Sequence, residues 1–162
     1  MLPDEAATSL PAVPTRETTL ALDAAIHAPP SVEAVRRMEA LLLTLPQVDL
    51  GTENVVHGGM CARTIMVPAG VALTGALTKI DNICVMCGDI EVTTDQGPRR
   101  MTGFHVLTAK AGFKRGGRAY ADTYWTTIWR TDLKDVEAIE DEMTDEAANL
   151  QTRRFKTLPE VA

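Results

Sequence analysis

The chain has 162 residues, enough for one domain with extensions, and its 45% apolar content is sufficient to fill a packed core. A net charge of −6 opposes a nucleic-acid partner, whose phosphates need a basic face, and no apolar run is long enough for a membrane span. Three cysteines, an odd number, do not make a disulfide framework and suit a reducing compartment.

The opening "MLPDEAATSLPAVPTRETT" sets two acids before any basic residue and lacks a continuous apolar block, which argues against a signal peptide. Residues 1–30 are rich in Pro, Ala and Thr with little periodicity. They read as an extended arm that orders only against another surface, and so as an assembly device. In "SVEAVRRMEALLLTLP" Ser31 is the expected N-cap and Glu33 meets the positive end of the helix dipole. Val32, Val35, Met38, Leu41, Leu42 and Leu45 recur at helical spacing until Pro46, which predicts an amphipathic helix over 31–46.

Across residues 55–131 the pattern changes to short β runs: "ARTIMV", "VALTGAL", "NICVMC", "DIEVTT", "RRMTGFHVLT", "RAYA" and "TYWTTIWRT". "PAG", "CGD", "DQGP" and "FKRGG" separate them with the Gly or Pro of tight connections. Even spacing of this kind predicts an antiparallel barrel or jelly roll. In "DTYWTTIWRT" Thr123, Trp125, Thr127 and Trp129 share a face, with core filling the expected role of the two indoles and a ligand-stacking wall the alternative. Beyond Asp132, Val136, Ile139, Met143, Ala147 and Leu150 keep a helical period, predicting an acidic helix over 132–154.

Three motifs invite chemistry. "CVMC" has CxxC spacing but lies in a β run, where residues three apart face opposite ways, so Cys84 and Cys87 are expected to be reduced and unlinked. His27, His57 and His105 share no ligand spacing and accompany no nucleophile motif. "FKRGGRAY" sets Lys114, Arg115 and Arg118 around two glycines, a candidate contact for an anion or an acidic partner surface. The competing reading of that loop is a solvated turn, or a salt-bridge partner for the acidic helix.

The stretch "VPAGVALTGALTKIDNICVMCGDIEV" and the glycines after it resemble the cupin family, small β-barrels whose metal-binding members place three His and one Glu in two glycine-framed motifs. Counted from Gly70, the first three ligand positions fall on Ala76, Thr78 and Asn82, with Gly88 closing the frame. Counted from Gly103 through Gly112, with one extra residue, the fourth falls on Arg115. The four are expected to line one pocket that holds no metal. Over a longer span, "MEALLLTLPQVDL", "CARTIMVPAGVALTG", "GFKRGGRAYADTYWTTIWRT" and "EAIEDEMTDEA" are similar to small cupin-like proteins of tailed bacteriophages. Relatives in that set carry histidines near positions 78, 82 and 129, where this chain has Thr, Asn and Trp.

The resemblance implies a mainly β fold: a cupin-type antiparallel β-barrel or jelly roll with an N-terminal extended arm and flanking helices. It implies a non-enzymatic structural component of a bacteriophage virion, capsid-decorating or tail-associated, working without a cofactor. Its partners would be other virion proteins and copies of itself, with no nucleic acid and no membrane. Its place would be the virion, and the host cytoplasm before assembly. The alternatives are a metal-dependent cupin enzyme and a small-ligand-binding module.

Overall fold

A computed structural model describes residues 15–155. The expected arm is corrected over its second half, while residues 1–14 lie outside the described residues. Thr15 caps a helix, α1 (Arg16–Ile26), its Oγ1 accepting from the Thr18 amide at 3.2 Å, with Glu17 in the first turn. Leu22, Ala25 and Ile26 form one face of α1, and Leu22 and Ile26 are buried against Met38 of the next helix. That next helix is α2 (Val32–Leu42), where Ser31 Oγ accepts from Ala34 at 3.0 Å as the N-cap. It stops short of the expected end at residue 46. An ion pair between Asp23 and Arg118 ties α1 to the sheet, so this segment is part of the folded body.

Six strands follow: β1 (Glu53–His57), β2 (Met60–Val67), β3 (Ala72–Thr74), β4 (Asn82–Thr94), β5 (Gly97–Ala109) and β6 (Gly116–Arg130). They form one antiparallel sheet in the order β1-β2-β6-β4-β5, with β3 also paired to β6. The architecture is mainly antiparallel β with flanking helices, consistent with a cupin-type barrel or jelly roll. Two pairs of expected runs merge: "NICVMC" with "DIEVTT" in β4, and "RAYA" with "TYWTTIWRT" in β6. "CGD" is a bulge rather than a turn. Gly88 sits there at φ 150°, and a Cβ on it would lie 2.6 Å from the Thr123 Cα of the neighbouring strand.

The inner face of the sheet carries the core. Val67, Met86, Ile90, Val92, Met101 and Ala119 form one buried cluster, against which Trp125 packs. Cys61 and Trp129 form a second with Ile139 and Met143 of α3 (Val136–Met143). Cys84 is buried and Cys87 exposed, and both are free thiols.

The expected helix over 132–154 is broken into three pieces. α3 ends at Thr144, a 3₁₀ turn spans Ala147–Asn149, and α4 is Gln151–Arg154. Thr144 leaves the helix because its hydroxyl donates to Leu77 O at 2.7 Å, while Glu146 accepts from the Leu77 amide at 2.9 Å. These tertiary bonds replace the helical ones.

Candidate ligand cavity

Two loops facing each other build the site. The Gly75 amide donates to Arg115 O at 2.8 Å, and the Gly112 amide to Thr78 O at 2.7 Å, so residues 75–78 and 112–115 run side by side. Ala76, Thr78, Asn82 and Arg115 thereby line one cavity of about 630 Å³. The inner face of the sheet forms one wall, with residues of α2 and of the 45–50 segment among those opposite.

Arg115 is the unusual member. Its guanidinium lies over the rings of Phe113, at 5.0 Å, and Trp125, at 5.5 Å. Among the described residues, no hydrogen bond or ion pair engages it. Burial lowers its pKa from the usual guanidinium value, opposed by the Cys84 sulfur and by Asp95. An arginine stays charged even so. A half-buried cation with no ion-pair partner is costly unless something arrives to pair with it.

The other polar groups of the cavity are neutral. Thr78 Oγ1 is buried with no hydrogen-bond partner among the described residues. Asn82 donates to Ile80 O at 3.1 Å and accepts from the Cys84 thiol at 3.4 Å. Burial pushes the Cys84 thiol above the usual thiol range, although Arg115 and the bonds to Thr127 and Trp125 pull the other way, so the sulfur stays protonated near neutral pH. The cavity's Glu39 and Glu146 are both taken by Lys114, and Arg63 by Glu140.

These residues do not fit the metal of the cupin frame. A methyl, a hydroxyl, an already bonded amide and a guanidinium offer a divalent ion no anionic or imidazole donor. Among the described residues, no three His, Cys, Asp or Glu side chains are placed to share an ion.

The basic cluster "FKRGGRAY" is divided by the fold, which corrects its reading as one contact surface. Lys114 is not available to an outside anion: its side chain is fully buried, with Nζ 3.1 Å from Glu39 and 2.7 Å from Glu146. Arg118 pairs with Asp23 and donates to the Tyr120 hydroxyl at 3.0 Å. Arg115 alone of the three points its charge into the cavity without a protein partner. The two indoles also part company: Trp129 fills core, whereas Trp125 walls the cavity. Phe113 was not singled out by sequence, although it stands two residues from Arg115 on the same loop.

No family model and no curated protein matches the sequence. Among solved structures the chain is similar to ectoine synthase from P. lautus (TM-score 0.44, 17% identity, covering 56% of this chain and 70% of that one). A cupin-2 domain-containing protein from Shewanella frigidimarina gives TM-score 0.42 at 10% identity, covering 54% and 87%. The cupin domain of Cnp3 from Schizosaccharomyces pombe gives 0.41 at 21%, covering 54% and 66%. Two of the three are cupin domains by description and one bears the name of an enzyme. Likenesses this partial assign the chain no activity, and none carries a sign of bacteriophage origin.

Proposed function

We propose that the chain is a small-molecule-binding module whose ligand is an amphipathic carboxylate, held with its charge on Arg115 and its apolar body between Phe113 and Trp125. The observation that carries this reading is the unpartnered guanidinium inside a cavity walled by apolar side chains. A carboxylate accepts two parallel bonds from a guanidinium, and the orphan Thr78 hydroxyl supplies a further donor. The reading is of binding without turnover, because the cavity's carboxylates are committed to Lys114 and its thiol is protonated.

Tryptophan fluorescence and thermal melting in the presence of benzoate, phenylacetate and octanoate test it. The expected result is saturable quenching and a raised melting temperature with at least one carboxylate, absent for the matching neutral amide and lost in Arg115→Met. If every carboxylate leaves both signals unchanged, or if Arg115→Met binds as well as the parent chain, the proposal fails.

A second reading, a capsid-decorating or tail-associated virion component, is carried by the sequence resemblance. Favouring it is one observation, a sheet face with several large apolar side chains turned to solvent. Mass spectrometry of purified particles decides: stoichiometric copies support it, and absence from the particles rules it out.

A further inference from the structure

Among the described residues, nothing covers a large apolar field on the outer face of the sheet. Phe104 is 68% exposed, Val106 59%, Tyr124 57%, Val55 57%, Met60 51% and Ile83 46%. Strand register gathers them: Phe104, Cys87 and Tyr124 lie side by side across β5, β4 and β6, and Ile83 lies in a row that reaches Val55 through Ile128 and Ala62. Charged side chains border this field: the Arg100–Asp89 pair at one end, Arg130 beside Met60 at the other, and Glu53 on the edge strand in the row that runs through Thr64, Thr126 and Val85 to Val106. Inside that border, on β2, β6, β4 and β5, the face presents apolar groups, threonines and one thiol.

The six large side chains alone expose on the order of 600 Å² of surface, already the upper range for the largest apolar patch of a monomer. A stable interface of standard size buries about 800 Å² per partner, so these side chains supply most of what a dimer needs. With its charges of both signs confined to the margins, the field offers nothing to select a partner of opposite charge. A sheet face of this kind packs on another sheet with the two sets of side chains interdigitated. The same field on both sides of a two-fold axis meets these conditions with no further component.

We infer that a second copy of the chain docks here, outer face to outer face about a two-fold axis. The assembly is independent of the cavity, which opens on the other side of the sheet. Cys87, at the centre of one row and exposed in the single chain, becomes covered in the pair.

Sedimentation of the full chain across a concentration series, read beside the alkylation rate of Cys87, tests the inference. The expected result is a reversible dimer in which Cys87 reacts slowly when concentrated and faster on dilution. Phe104→Glu and Tyr124→Glu, both at exposed positions, are each expected to weaken the dimer at least about tenfold while leaving the circular dichroism spectrum unchanged. A parent chain that stays monomeric at every concentration overturns the inference. In that case a slow Cys87 means that the chain's own terminal residues cover the face, and a fast one that the face stays bare. A dimer that survives both substitutions overturns it equally, because its interface then lies elsewhere.

Discussion

At position 114 a cation is fully buried and doubly paired, and at position 115 the next cation is half-buried and alone. Their substitutions are expected to move stability in opposite directions. Lys114→Met removes the cation shared by Glu39 and Glu146, leaving Glu146 the half-exposed Arg36 and the Leu77 amide, at a cost of about 3 kcal/mol measured by the urea midpoint. Arg115→Met removes a buried charge that, among the described residues, has no ion pair and feels Asp95 only at a distance, so the unliganded melting temperature should hold or rise while carboxylate binding disappears. A drop comparable to that of Lys114→Met would mean that Arg115 has a structural counter-charge after all. Sequence could not separate the two, since Lys114 finds its acids 75 and 32 positions away in the chain. The glycine frame is a local signal that pointed to Ala76, Thr78, Asn82 and Arg115, and the structure places these four among the many residues around one cavity. The missing donors at those positions lead to a further expectation, that elemental analysis of purified protein finds no stoichiometric iron, manganese or zinc. Gly88→Ala should destabilise by roughly 2 kcal/mol or more, from positive φ and from contact with the Thr123 backbone, visible as a lowered melting temperature.

Among the elements, strands were the most readable, because alternation and Gly-bearing connections are local signals. α1 was missed for a local reason too. Its apolar face is only Leu22, Ala25 and Ile26, set between proline-rich flanks whose composition dominates the window. Ile26 is fully buried, so Ile26→Ala should cost about 3 kcal/mol by urea denaturation, whereas a loose arm would show no change. The C-terminal helices depend on a carboxylate that no periodicity announces. Glu140, nearly inaccessible, accepts from Arg63 at 2.7 Å, Thr152 at 2.7 Å and Arg153 at 2.6 Å, joining β2, α3 and α4. Burial acts to raise its pKa, but those donors together outweigh burial and hold it below the ordinary glutamate value of 4.5. Glu146 is depressed in the same way: burial pushes up, and Lys114, the Leu77 amide and Arg36 pull it further down. A depressed carboxylate contributes stability that is fully present above the unfolded-chain value and is lost as pH falls through the folded one. The urea midpoint should therefore begin to fall near pH 4.5 and continue downward in more acid solution. Glu140→Gln should flatten part of that slope, and an unchanged slope would exclude Glu140 as a contributor.

For the molecule as a whole, one strand governs when the rest can form. β6 pairs with β2 and β3 on one side and with β4 on the other, so β1 and β2 join the remainder of the sheet only through it. It is the last strand of the described residues, made after the other five have already been synthesised. Long-range pairings of this kind pay loop-closure entropy before any contact rewards it, and they form slowly. On the ribosome, the first five strands would emerge with their central template still missing and their apolar inner faces open to other chains and to chaperones. Nascent chains arrested before Gly116 should be cleaved readily by added protease, and those arrested with β6, α3 and α4 clear of the tunnel should resist. Resistance in the shorter chains would show that β4 and β5, a hairpin of thirteen residues a side, hold a stable structure before the strand that joins them to the others exists.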